Sequence, residues 1–184
     1  MAFTVLFDTC ALYPTTQRNL LIRLARTGLV RARWSAGILE ELDRNLAKRG
    51  IVDDKRERLF RLMNAAVEDC LVEGYEPLVE GLKLPDPDDR HVLAAAIQAG
   101  AQAIVTNNLS DFPRECLDRH GIETRTPDDF VLDLIDINDR VVHACIQQIV
   151  DERRNPPESF GDVLGQLERS GLIEAVAELR LGQA

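Results

Sequence analysis

Strand-type apolar runs alternate with segments of helical period over the first two-thirds of this chain, and that alternation leaves few folds open. Residues 4–7 are apolar and stop at Asp8. Similar runs fall at 29–34, 70–72, 102–106 and 121–124. Between them, leucines and alanines recur at helical spacing over 17–27, from Ser35 to about Lys48, over 53–69, from the Pro85–Asp89 stretch to about Ala99, near 113–119 and over 127–135. Ser35 has the chemistry of a helix N-cap, and Gly50 closes the segment it opens. Strands alternating with helices predict an α/β domain with a mostly parallel sheet. Beyond residue 136 the strand signal ends. A helix over 137–154, a break at Asn155-Pro156-Pro157 and a helical hairpin around Gly171 predict a helical C-terminal extension packed on the domain. The chain therefore divides into 1–136 and 137–184.

At 184 residues, 45% of them hydrophobic, the chain is long enough to bury its own core without staples. Cys10, Cys70, Cys116 and Cys145 are widely spaced, and the three histidines do not pair with them at zinc spacing. They read as reduced thiols of a cytoplasmic protein. No apolar stretch approaches a membrane span, and the N-terminus has no basic, cleavable leader pattern.

The net charge of -9 argues against a polyanion partner, but its distribution argues for one. Residues 1–62 carry twelve bases and seven acids, whereas residues 63–184 carry ten and twenty-four. No acid lies between Asp8 and Glu40, where Arg18, Arg23, Arg26, Arg31 and Arg33 stand. Arginine suits phosphate recognition. Arg18, Arg23 and Arg26 are thus candidate substrate-binding residues, with a solvated helix face as the ordinary alternative.

Four acids fall where an open α/β sheet binds ligands, beyond the carboxyl ends of its strands. Asp8 ends the first run directly. In the helix after Ser35, at about 100° per residue, Glu41 lies on the edge of the apolar face while Glu40 points to solvent. Asp89 shares the core-facing stripe of its helix, whereas Asp86 has the position of a cap. Asp111 follows the run at 102–106 in a turn. Each has a structural alternative, a cap, a flank or a turn former. Together they predict carboxylates from four segments at one end of one sheet. Crowded carboxylates repel and raise one another's pKa. A hard cation, Mg²⁺ or Mn²⁺, removes that difficulty and can activate water against a phosphodiester.

The stretches Val5-Leu6-Phe7-Asp8-Thr9, Ile38-Leu39-Glu40-Glu41-Leu42, Asp86-Pro87-Asp88-Asp89-Arg90-His91-Val92-Leu93-Ala94-Ala95-Ala96 and Ile104-Val105-Thr106-Asn107-Asn108-Leu109-Ser110-Asp111-Phe112 resemble, in order and spacing, the PIN-domain nucleases and among them the VapC-type toxins. The resemblance covers residues 3–130. It implies a three-layer α/β/α PIN-like fold and an acidic quartet of Asp8, Glu41, Asp89 and Asp111 that holds Mg²⁺ or Mn²⁺. It also implies Thr9 at the metal site, with Thr106 and Asn108 shaping it from the strand end. Many PIN domains have Asp where this chain has Asn108, which removes one charge from the site. The implied activity is metal-dependent cleavage of RNA. The implied partners are a cognate antitoxin, which alone would contact operator DNA, and a second copy in a homodimer.

Two other readings compete with the toxin: a PIN-type nuclease of RNA processing, and a PIN fold that binds RNA without cutting it. The phosphotransfer receiver, the haloacid-dehalogenase phosphatase and the Walker-type nucleotide binder each lack a defining motif here.

Overall fold

The computed structural model describes residues 3–182. The chain runs β1 (Phe3–Phe7), α1 (Thr9–Leu12), α2 (Thr15–Arg26), β2 (Val30–Ser35), α3 (Ala36–Lys48), α4 (Asp53–Ala66), β3 (Leu71–Val72), α5 (Glu76–Val79), α6 (Arg90–Gln98), β4 (Ala103–Val105), α7 (Arg114–Leu117), β5 (Glu123–Arg125), α8 (Pro127–Glu152), α9 (Phe160–Arg169) and α10 (Ile173–Leu181). The five strands form one sheet in the order β3-β2-β1-β4-β5. Every pairing is parallel, including Leu6 with Arg33 and Leu6 with Ile104.

Consecutive strand residues point to opposite faces. Val5, Leu6 and Phe7 on β1, and Ala103, Ile104 and Val105 on β4, are all fully buried. Both faces of the central strands are therefore covered, as a parallel sheet requires. This is the expected α/β/α architecture with an all-parallel sheet. The chain leaves β1 toward β2 on one side, and β4 extends the sheet on the other. The reversal between β1 and β4 is a topological switch point, where open α/β sheets leave a crevice at the strand carboxyl ends.

Several details depart from the pattern in the sequence. The residues after Asp8 form a short helix, α1, because the Asp8 carboxylate caps it by accepting the Thr9 N–H. The helix expected from Pro85 starts as a 3-10 turn over Pro87–Asp89, with Asp86 as its cap. The last strand begins later than expected, because Gly121 takes a left-handed conformation (φ 65°) that closes the preceding 3-10 turn.

The C-terminal helices pack as an extension. Phe130 of α8 meets Phe7 edge-on at 5.6 Å between ring centres. Asp128 accepts the N–H groups of Glu174 and Ala175, capping α10. Thr16 of α2 donates to Gln166 of α9 at 2.6 Å, and Arg23 of α2 reaches Gln148 and Glu152 of α8. Among the described residues no helix is long and apolar enough to cross a membrane.

Candidate active site

The carboxyl end of β1 delivers Asp8 into the crevice between β1 and β4. Its backbone N–H continues the ladder by donating to Val105. The side chain is 4% exposed and held at three points. The Thr9 N–H donates to Oδ1 at 2.7 Å, Thr106 Oγ1 donates to Oδ2 at 2.8 Å, and Cys10 Sγ lies 3.2 Å from Oδ2. Burial pushes the Asp8 carboxyl above its usual range, and these hydrogen bonds only partly offset it.

Helix α3 presents Glu41, with Ser35 capping its first turn by accepting the Ile38 N–H. Thr9 Oγ1 donates to Glu41 Oε2 and His91 Nε2 lies on Oε1, both at 2.8 Å. Burial alone would raise the Glu41 pKa. The contacts from His91 and Thr9 outweigh it and leave the carboxyl below its ordinary value. The hydrogen bond to Glu41 in turn raises the His91 pKa, against the effect of burial. Glu40, the adjacent residue, is exposed, as the helix phase required.

Asp89 stands between the 3-10 turn and α6 and makes no capping hydrogen bond. Burial, followed by the charges of Asp8, Asp111, Asp86 and Glu41, pushes its carboxyl up to about 6. Asp8, Glu41, Asp89 and Asn108 line one cavity of about 540 Å³, together with Thr9, Cys10, Tyr13, Asn45, Lys48 and Arg49. Asp111 is not in the lining but is close enough to act on Asp89. Thr106 is fully buried behind Asp8, and its Oγ1 accepts the Asn108 N–H at 3.0 Å.

Asp8, Glu41, Asp89, Thr9 and Asn108 therefore line one crevice, with Thr106 behind it and Asp111 outside the lining, but Arg18, Arg23 and Arg26 are not at it. Arg18 is buried and donates to the carbonyls of Leu12 and Tyr13. Arg23 is spent on Asn19, Gln148 and Glu152. Arg26 borders a different cavity with Arg31, Glu68 and Asp69. A helix joining two parallel strands must run back along the sheet, so the end of α2 lies away from the strand carboxyl ends. The cations at the crevice are Lys48 and Arg49, from the end of α3 and its cap.

Two site neighbours escaped the sequence reading. His91 buttresses Glu41, and its Nδ1 is buried without a partner. Cys10 reads in the sequence only as a reduced thiol. Its Sγ accepts the Asn107 N–H at 3.2 Å, and burial with the Asp8 charge pushes its pKa to about 11.

The donor set fits a hard divalent cation: oxygen donors from carboxylates, one of them making no capping hydrogen bond and raised by burial and then by like charges. Among the described residues no three His, Cys, Asp or Glu side chains stand close enough to hold an ion by themselves. Mg²⁺ asks less than that, since it is usually held by one or two carboxylates with water and substrate phosphate completing its shell.

A PIN-domain family model matches residues 4–110, and the VapC50 C-terminal domain model matches residues 127–181. A curated relative from Mycobacterium tuberculosis, named "Putative ribonuclease VapC50", is 40% identical over 96 residues. The match covers 50% of this chain and 56% of that protein, so it spans little more than half of the relative's length. No solved structure matches the chain.

Proposed function

The chain belongs to the PIN-domain family, and from that premise we propose that it is a Mg²⁺- or Mn²⁺-dependent endoribonuclease, the toxin of a type II toxin–antitoxin pair acting in the cytoplasm. One observation carries the reading. Asp8, Glu41 and Asp89, from three separate elements, open on one cavity at the switch point of a parallel sheet, and burial, followed by the charges of the acids around it, raises Asp89 to about 6. A fold gains nothing in stability from such crowding. It is what a site for a cation requires.

One or two of the carboxylates of Asp8, Glu41 and Asp89 would hold the ion directly and the rest through its water shell, with Asp111 adding charge behind Asp89. When bound, the ion activates water and neutralises charge developing at phosphorus. The protein's own contribution is to orient these groups. Thr106 and the Thr9 N–H fix the two oxygens of Asp8, and Thr9 Oγ1 and His91 fix those of Glu41. Lys48 and Arg49 supply positive charge for the RNA backbone beside the acids. In the hydrolysis, water oxygen bonds to phosphorus, one ribose oxygen leaves, and a proton passes to the leaving oxygen. The VapC-type reading brings with it an antitoxin that blocks the acidic cleft and a homodimer. We further place the division between nuclease domain and extension at residues 136 and 137.

The test is RNA cleavage by the purified chain with Mg²⁺ or Mn²⁺, against a chelator control. Asp8→Asn and Asp89→Asn should reduce cleavage to background while circular dichroism stays unchanged. Glu41→Gln should lose most of it and Glu40→Gln almost none. Full activity in folded Asp8→Asn protein removes that carboxylate from catalysis and the hydrolytic reading with it.

A further inference from the structure

The cavity at the carboxylates abuts a second one of about 650 Å³, and the two share Tyr13 and Arg49. The far wall of the second cavity comes from the C-terminal extension, through Arg153, Glu158, Gln166 and Arg169. Residues 137–184 hold eight acids and five arginines. A surface drawn at random from them would be negative. Yet two of the five arginines face this cavity against one of the eight acids. That acid, Glu158, is already engaged: it accepts from Gln166 Nε2 at 3.0 Å and lies 3.9 Å from Arg153 Nε. Arg169 is exposed. With Lys48 and Arg49 the two arginines border a continuous basic path that begins at the carboxylates. The guanidinium of Arg49 lies 5.9 Å over the Tyr13 ring, so an aromatic face and a cation sit together where the two cavities join.

We propose that the C-terminal extension is a substrate arm. Single-stranded RNA with its scissile phosphate at the carboxylates crosses Tyr13 and Arg49 and lays its following phosphates on Arg153 and Arg169. The inference rests on the nuclease reading and names the path its substrate takes. A single strand is favoured because bases freed from pairing stack on an aromatic side chain while arginines follow the backbone. The α9 wall is held in place by the Thr16–Gln166 hydrogen bond, so the arm is positioned before RNA arrives.

The experiment uses the full chain carrying Asp8→Asn, which prevents cutting, with labelled oligouridylates of about 4 and about 16 nucleotides. Affinity is read by fluorescence anisotropy with Mn²⁺ between about 50 and 200 mM salt. Single-stranded binding has a salt slope of about -0.7 per neutralised phosphate. Adding Arg153→Ala and Arg169→Ala should therefore flatten the slope for the long oligomer by about 1.4 and weaken it several-fold. The short oligomer should change less than about twofold. Arg169→Ala alone, at an exposed position, should flatten the slope by about 0.7 without affecting the fold. The same charge removed at Arg119 and Arg140, off the path, should leave the slope unchanged. An unchanged slope in folded Arg169→Ala protein overturns the proposal, as does equal weakening of both oligomers. Binding of an acidic peptide to Arg153 and Arg169 with no effect on the RNA slope overturns it in favour of a protein partner. A parent chain that binds neither oligomer overturns the nuclease reading and the arm together.

Discussion

At the scale of single residues, the pair His91 and Glu41 and the isolated Asp89 set the behaviour of the site. The imidazole holds Glu41 Oε1 from α6 while Thr9 holds Oε2 from α1, so the carboxylate is fixed before any ion binds. Outer partners of this kind are worth about 10–100-fold in metal affinity. Calorimetry of Mn²⁺ uptake should show that loss in His91→Leu and recovery of most of it in His91→Gln, which keeps an N–H donor. Equal affinity in all three proteins makes His91 a packing residue. Asp89 carries the pH dependence. Its folded pKa, about 6, lies above the ordinary 3.8. The folded chain thus holds a proton that the unfolded chain has released between those values. The resulting stabilisation is complete below the ordinary value and is lost as pH rises through about 6. A metal needs the bare carboxylate, so Mn²⁺ affinity should fall about tenfold per pH unit once the pH drops below about 6. Asp89→Asn should lose that slope. Asp8, Glu41 and Asp89 were legible because a strand end and two helix phases expose them to simple counting. His91 was not. At 100° per residue it falls about 200° from Asp89, off the core stripe, and its partner is fifty residues earlier in the chain.

At the scale of elements, α3 and α8 show what local signals carry. The bounds of α3 follow from the Ser35 cap and the glycine stop, and the helix is found from Ala36 to Lys48. What the sequence could not convey is why its second residue is Gly37. A Cβ there would lie 3.0 Å from His91 Nδ1 and 3.1 Å from Tyr75 Oη, so α3, α6 and Tyr75 approach through the missing side chain. Gly37→Ala should push the imidazole off Glu41. The expected result is a loss of Mn²⁺ affinity similar to that of His91→Leu, with helix content unchanged. Full affinity in that variant means the imidazole has room to move aside. The region of α8 reads in the sequence as two helices, over 127–135 and 137–154. The structure has two helices there as well, meeting across a kink at Asn138 (φ -162°, ψ 87°) within Pro127–Glu152. Asn138 Oδ1 accepts the Val141 N–H, so the break is itself a cap for the second half. The local signal at the break was sound. What it does not carry is the packing of this region against α2 and α10.

At the scale of the whole molecule, charge counting and tertiary structure part company. An acid-free, arginine-rich stretch beside an acidic site predicted a phosphate patch, and composition alone gives no means of telling which arginines fold inward. Two of the three predicted ones do, against the usual preference of arginine for the surface. Arg18 turns back to the carbonyls of Leu12 and Tyr13, whereas Arg23 helps join the extension to the nuclease domain. The Arg23 guanidinium donates to Asn19 on its own helix and to Gln148 and Glu152 on α8, and its side chain is 10% exposed. Glu152 is 64% exposed, so water and salt screen the ion pair, and the part-buried hydrogen bond to Gln148 carries the unscreened share of the linkage. Arg23→Ala should therefore cost about 1 kcal/mol of global stability in denaturant unfolding. The local effect should be larger than the global one. Hydrogen exchange should quicken in the second half of α8 and in α9 while β1 and β4 keep their protection. Because Arg153 follows directly on Glu152, loosening this joint should also flatten the salt dependence of long-RNA binding without changing cleavage of a short oligomer. If exchange instead quickens evenly over both parts of the chain, the extension and the nuclease domain unfold as one cooperative unit, and Arg23 is a core residue of the whole rather than the joint between them.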